Sequence, residues 1–300
     1  MSLGLLIKRM KKALKTIYKS IPLKKHIFSL IKVFGIPSER IYRHLHFQGN
    51  IRVKVDERNS FLIRHHGFEV ENSLFWAGLS NGWEKVSLSL WIKLVKQSNV
   101  IFDIGANTGV YSLVAKSINK TAKVYAFEPV QRVFEKLEYN NQLNEYGIIC
   151  FDYAASNIDG TATIYDPATE HVYSVTVNQN LNSDNIAVTP TIIKTIRLET
   201  VINQQNVEKV DLIKLDVETH EAEVLEGLGK YLEAFQPTIL IEILNDEVGQ
   251  KVEALVKGKK YLYYNLNEDT GSIKLVDHIY KSDSFNYLLC TEQTAQKLLI

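Results

Sequence analysis

Residues 99–112 read Asn99-Val100-Ile101-Phe102-Asp103-Ile104-Gly105-Ala106-Asn107-Thr108-Gly109-Val110-Tyr111-Ser112, and this run leaves the chain little choice of architecture. Val100, Ile101, Phe102 and Ile104 crowd apolar side chains into a span too short for a helix, the pattern of a strand buried on both faces. Gly105 and Gly109 bracket a tight turn, and Tyr111-Ser112-Leu113-Val114-Ala115 begins a helix. Glycine lets backbone approach a ligand that any Cβ would hold away. A helix N-terminus at the carboxyl edge of a parallel sheet is where nucleotide-type ligands bind. A plain tight βα connection would read the same way, so the turn needs support from the rest of the chain.

Downstream, strand-like and helix-like segments alternate. Lys123-Val124-Tyr125-Ala126-Phe127, Ile148-Ile149-Cys150-Phe151, Val210-Asp211-Leu212-Ile213-Lys214-Leu215 and Thr238-Ile239-Leu240-Ile241-Glu242-Ile243 read as strands. Helical patterns run through Val133-Phe134-Leu137, from Glu221 to Leu228 and from Val248 to Val256. Tyr261-Leu262-Tyr263-Tyr264 and Phe285-Asn286-Tyr287-Leu288-Leu289-Cys290 close the set. Such alternation predicts a mostly parallel sheet with helices on both faces. Residues 157–197 form an irregular excursion with strand-like ends around a polar Asn/Ser/Thr stretch.

Upstream, Ile51-Arg52-Val53-Lys54-Val55-Asp56 alternates apolar and charged residues. With a turn at Glu57-Arg58-Asn59-Ser60 and a second strand from Phe61, it reads as a hairpin. Ser87 to Val95 has helical periodicity. The expected organisation is a basic helical segment over 1–35, an extension of hairpin and helix over 36–96, and a ligand-binding domain over 97–300. The extension covers the sheet or the mouth of the site and is not an independent domain.

Apolar content of 45% and a formal net charge of +1 describe an ordinary globular chain with no overall bias toward nucleic acid. Cys150 and Cys290, each in an apolar run, read as packed thiols, as in a reducing cytosol. No Cys/His cluster of metal-ligating spacing occurs, so no metal is assigned. The N-terminus is unusual: Lys8, Arg9, Lys11, Lys12, Lys15, Lys19, Lys24, Lys25 and Lys32 all precede the first acid, Glu39. Leu6, Met10, Leu14, Ile17 and Ile21 recur at helical spacing, giving a basic amphipathic helix that ends near Pro22. It either packs on its own domain or lies on an anionic membrane surface. The expected location is cytoplasmic, with a peripheral inner-membrane contact as the second reading.

Four acids end predicted strands: Asp103, Glu128, Asp216 and Glu242. Buried carboxylates without partners are costly, so a row of them at one sheet edge suggests acceptors for a ligand. Glu128 lies roughly twenty residues beyond the glycine turn, where an acid holds ribose hydroxyls in dinucleotide folds. The turn itself is GxxxG and not GxGxxG, which argues against a pyrophosphate and therefore against NAD or FAD. A nucleoside ligand without phosphate fits both observations, and S-adenosylmethionine is the common one.

The run Val100 to Ser112 resembles motif I of the FkbM family of S-adenosylmethionine-dependent methyltransferases. Further blocks agree in order: Ala126-Phe127-Glu128-Pro129, Leu137-Glu138-Tyr139-Asn140-Asn141 with Leu143-Asn144, Ala154-Ala155-Ser156-Asn157-Ile158-Asp159-Gly160, Asp211 to Glu218 running into His220-Glu221, and Asn286-Tyr287-Leu288. The resemblance covers Glu84 to Leu289. It implies a Rossmann-like, doubly wound α/β fold whose mostly parallel seven-stranded sheet carries an antiparallel last strand. One departure is plain: the family's D-x-E-G-x-E appears as Asp216-Val217-Glu218-Thr219-His220-Glu221, with Thr219 at the glycine.

By the resemblance, Asp103, Gly105, Asn107 and Gly109 would hold the methionine moiety of S-adenosyl-L-methionine and Glu128 its ribose. Asp152 and Ala154 would flank the adenine, and Asp216 would lie near the sulfonium. A hydroxyl acceptor must lose a proton. His220 is the first candidate base, Glu218 the second, and Glu221 would orient the base or cap the helix. Asp216, Glu218 and Glu242 are an alternative magnesium set, and His171 an alternative substrate contact. The implied reaction is O-methylation of a hydroxyl on a sugar, glycan or other small molecule, with no nucleic acid as substrate. Two other readings stand beside it: a non-catalytic module for an adenosyl ligand, and an interaction protein recruited to membranes by its basic N-terminus.

Overall fold

The computed structural model describes residues 22–167 and 188–300. The expected amphipathic helix from Leu6 to Ile21, and His171, lie outside the described residues. The first described elements are helices α1 (Lys24–Phe34) and α2 (Glu39–Tyr42), the antiparallel hairpin β1 (Gly49–Lys54) and β2 (Ser60–His65), and helices α3 (Glu69–Trp76) and α4 (Lys85–Val95). The winding then begins: β3 (Val100–Ile104), α5 (Val110–Ile118), β4 (Lys123–Phe127), α6 (Gln131–Asn144), β5 (Ile149–Phe151). A side branch follows, made of β6 (Tyr153–Ser156), β7 (Gly160–Pro167) and β8 (Val188–Arg197), and then α7 (Leu198–Gln204), β9 (Leu212–Leu215), α8 (Glu221–Gly227), α9 (Tyr231–Phe235), β10 (Thr238–Glu242) and α10 (Asp246–Val256). Strands β11 (Leu262–Leu266), β12 (Ile273–Val276) and β13 (Asn286–Cys290) and helix α11 (Glu292–Leu298) complete the chain.

The central sheet runs β12-β11-β13-β10-β9-β3-β4-β5. Strands β10, β9, β3, β4 and β5 are mutually parallel, and β13 inserts antiparallel between β10 and β11. This is the doubly wound, Rossmann-like sheet with an antiparallel last strand. It has eight strands and not seven, because β12 folds back along β11 as an extra edge. The third strand, read at Ile148–Phe151, is β5, and a further strand that the sequence did not announce, β6, follows it at once. β5 stays in the main sheet, whereas β6 pairs with β8 in a separate three-stranded sheet, order β6-β8-β7.

The alternation of side chains along each strand builds two cores. Ile101, Val124, Ala126, Leu212, Leu240 and Leu288 pack on one face with α4, α5 and α11. Phe102, Ile104, Tyr125, Phe127, Ile213, Leu215, Ile239 and Ile241 pack on the other with α7, α8 and α10. The first core also takes in Ile51, Val53, Phe61, Ile63, Trp76 and Trp91 of the extension, so residues 36–96 have no core of their own. Asparagine side chains fix the hairpin's place. Asn140 and Asn144, one helical turn apart on α6, accept from Arg64 N (2.9 Å) and Leu62 N (2.7 Å), and Asn144 Nδ2 donates to Leu62 O. They satisfy the open edge of β2 as a neighbouring strand would. No helix among the described residues is long and apolar enough to cross a membrane.

Candidate functional site

The parallel strands end in register: Ile104 pairs with Phe127 and Leu215, Phe127 with Phe151, and Leu215 with Ile241. One step beyond, Asp152, Glu128, Gly105, Asp216 and Glu242 therefore stand in a row along the carboxyl edge. A cavity of about 520 Å³ opens there. Of the candidate residues, Asp103, Gly105, Asn107, Glu128, Ala154, Asp216, Glu218 and His220 line it.

Gly105 has φ +75°, and a Cβ there would stand 1.8 Å from the backbone oxygen of Asp216. Only glycine lets the turn cross the end of β9 this closely. The amides of Gly105 and Ala106 both donate to Phe127 O, which pins the turn to β4. Gly109 (φ +90°) opens α5, and its missing side chain makes room for Leu137, 2.6 Å from where a Cβ would lie. Asp103 is buried, and its Oδ2 accepts from Ser112 N (2.9 Å) and Ser112 Oγ (2.6 Å). It ties the strand to the first turn of α5, and burial raises its pKa to about 6.

Glu128 is 7% exposed, with Oε2 accepting from Asn107 N (3.1 Å) and Oε1 from Val130 N (3.0 Å). Burial pushes its pKa up to about 7. Each oxygen keeps a further lone pair, so the carboxylate can still accept from a vicinal diol. On one side of it the cavity wall is apolar: Val130, Tyr153, Ala154, Ala155, Ala162, Ile164 and Ile193. Asp152 is not part of this wall. Its carboxylate turns to Lys194 Nζ at 2.7 Å on the exposed edge of the small sheet.

The other end is acidic. Carboxylate oxygens of Glu84, Asp216 and Glu242 lie within 4.8 Å of one another. Lys214, 2% exposed, reaches Asp216 Oδ2 at 3.1 Å and lies 5.1 Å from the ring centre of Tyr111, whose hydroxyl donates to Glu84. Burial opposes the lysine's charge, but Asp216, Glu84 and Glu242 outweigh it and raise its pKa. Three carboxylates around one ammonium leave an excess of negative charge. Burial, with Asp216 adding to it, pushes Glu242 up to about 10, and burial opposed by Lys214 leaves Glu84 at about 7. The cluster thus carries protons at neutral pH. It is also the set of described residues that could hold a cation, with Glu84 in the place expected of Glu218.

The turn after β9 places the remaining candidates. His220 Nε2 shares a hydrogen bond with Ser156 Oγ at 3.0 Å, its Nδ1 lies 3.6 Å from Glu223, and burial lowers its pKa. Glu221 is wholly buried and does not line the cavity. Its Oε1 accepts from Val217 N (3.1 Å) and Thr219 N (3.3 Å), so it holds the turn together. Glu84 was missed from sequence, although the motif resemblance begins at that residue. It precedes α4 with φ +47°, and nothing in its local pattern announces a site.

The cavity at the carboxyl edge of this sheet fits S-adenosyl-L-methionine on the chemistry of its walls. Its walls combine the buried carboxyl of Glu128, an apolar slot and the carboxyl cluster of Glu84, Asp216 and Glu242. Fold and site define an S-adenosylmethionine-dependent methyltransferase domain of the Rossmann-like class. The profile of the methyltransferase FkbM domain matches residues 103–279, more than half of the chain, and the protein belongs to that family. Hexuronic acid methyltransferase AglP of Haloferax volcanii is 26% identical over 163 residues, which cover 53% of this chain and 62% of the archaeal protein. The match therefore spans less than two thirds of that relative. Methyltransferase sdnD of Sordaria araneosa is 25% identical over 188 residues, 54% of this chain and 73% of the fungal protein. Among solved structures, an FkbM methyltransferase from Methylobacillus flagellatus superposes with a TM-score of 0.39 at 14% identity, covering 64% of this chain and 43% of that one.

Proposed function

We propose that the protein methylates a hydroxyl of a polyhydroxylated small molecule, a sugar or another glycan-pathway intermediate. The observation that carries this reading is the meeting of Glu84, Asp216 and Glu242 in a cavity that Trp83 and Phe68 also line. Carboxyl groups hydrogen-bond hydroxyls, and aromatic faces cover the apolar side of a sugar ring. The hexuronic acid named for the archaeal relative supports a sugar acceptor.

When bound, S-adenosylmethionine supplies a methyl group on a sulfonium, an electrophile that requires alignment and exclusion of water. Glu128 would accept from its ribose hydroxyls, the Gly105–Asn107 backbone would hold the amino-acid part, and Asp216 would face the sulfonium. Glu84 would take the acceptor hydroxyl's proton as that oxygen gains the methyl group and the methyl–sulfur bond breaks to leave a neutral thioether, since a base with a pKa of about 7 is matched to neutral pH. Lys214 pairs with the neighbouring Asp216, and Tyr111 orients Glu84. His220, bonded to Ser156, and Glu218 then shape the acceptor side, and Glu221 keeps their turn in place.

Reaction with S-adenosylmethionine and a panel of free and conjugated sugars, followed by product mass and linkage analysis, tests the reading. A methyl ether is expected, and exclusive methyl-ester or N-methyl products would overturn it. Glu84→Gln is expected to lower kcat about a hundredfold, flattening the pH–rate rise near 7 while cofactor Kd stays within threefold. His220→Ala should cost far less, and the reverse ranking would make His220 the base.

A further inference from the structure

Helix α1 is amphipathic in an inverted sense. The side that meets the body carries Phe28, packed against Phe47 and Trp76 at ring-centre distances of 6.1 and 5.7 Å, and Lys32, whose ammonium donates to Phe75 O and lies over the Phe75 ring. The side turned away is apolar: Leu30 is 61% exposed, Val33 79% and Phe34 85%, with Ile36 just beyond at 54%. Monomeric proteins rarely leave such side chains contiguous and bare. Lysines toward the body and leucine, valine and phenylalanine outward is the orientation of a helix lying in a membrane interface. Its charges then sit at headgroup level and its apolar face among acyl chains.

Charge selects the occupant. Lys8, Arg9, Lys11, Lys12, Lys15, Lys19, Lys24, Lys25 and Lys32 precede the first acidic residue, Glu39, in a chain of net charge +1. So concentrated a positive stretch, continuous in sequence with the exposed apolar face, complements an anionic surface. We propose that α1 and Ile36 form a docking surface for an anionic lipid bilayer, which holds the enzyme peripherally.

The full-length protein is tested by cosedimentation with phosphatidylglycerol/phosphatidylcholine vesicles against vesicles of phosphatidylcholine alone. Binding is expected to anionic vesicles at low salt, falling at least tenfold at 0.5 M salt. A triple variant, Leu30→Asp, Val33→Asp and Phe34→Asp, should lose at least tenfold in vesicle binding yet keep its S-adenosylmethionine Kd and melting temperature, because these side chains face away from both cores. Failure of the native chain to bind anionic vesicles would overturn the proposal, as would undiminished binding by the triple variant. A native dimer that the triple variant dissolves, with no vesicle binding, would also overturn it by assigning the face to a second copy of the chain.

Discussion

Thr219 is the residue at which the sequence departs from its family, and the structure gives that departure a physical meaning. Glu218 and Thr219 have φ of +55° and +81°, left-handed conformations in succession. A β-branched residue is a steric outlier there, and such strain costs about 1–3 kcal/mol. The amides of Val217 and Thr219, both bonded to the buried Glu221, hold the turn against it. Thr219→Gly is therefore expected to stabilise the protein by about 1 kcal/mol in urea unfolding, part of the relief being lost to the entropy of the unfolded chain. At this scale the sequence was informative where chemistry is local. Asp103, Gly105, Asn107, Glu128 and Asp216 sit at fixed offsets from strand ends, and all line the cavity. Glu84 could not be read this way, because it comes from a loop before α4 and reaches Asp216 only through the fold. Asp152 was misleading for the same reason: its offset is right, but Lys194 on β8 draws the side chain outward.

Between elements, a second very close approach lies where α8 crosses β6. A Cβ on Gly227 would stand 2.0 Å from the backbone oxygen of Ser156, whose hydroxyl bonds His220. Gly227→Ala must push α8 off the small sheet. A cost of about 2–3 kcal/mol is expected by chemical denaturation, as for an overpacked core. Because the same shift strains the Ser156–His220 bond, KM for the acceptor should rise more than kcat falls. The elements themselves were mostly legible. The strands β3, β4, β9 and β10 are apolar runs of strand length, and α10 has its core stripe and an Asn245 cap on Val248 N. The split between β5 and β6 was not. Phe151-Asp152-Tyr153 is continuous in β-like residues, and only pairing with β8 tells that the chain has changed sheets. β12 escaped notice because its partly exposed residues owe their strand state to pairing with β11.

Across the molecule, the acids that make the site also set its response to pH. Burial raises Glu128 to about 7, Glu221 to about 8 and Glu242 to about 10. A carboxyl whose folded pKa lies above its unfolded value stabilises at low pH, and that stability drains away as pH rises through the folded pKa. Buried His65 and half-buried His66, lowered to about 3 and 4, act oppositely, but most of their effect falls below pH 6.5. Between pH 6.5 and 8 the carboxyls outweigh them, so stability falls, with Glu221 alone accounting for about 2 kcal/mol. Calorimetry on the cofactor-free protein should give a melting temperature lower at pH 8 than at 6.5. An unchanged or rising value would mean that these carboxyls are already ionised at pH 6.5.

The crowd of carboxyl groups in the cavity has a consequence for the order of events in a turnover. Methyl donation removes the positive charge from the sulfur, so the ligand that remains is neutral where the ligand that entered was a cation. On the proposed reading, Asp216 and the ionised fraction of Glu84 would attract the first more than the second. The site would then tell fresh cofactor from spent partly by charge, and the reaction itself would loosen the product it leaves behind.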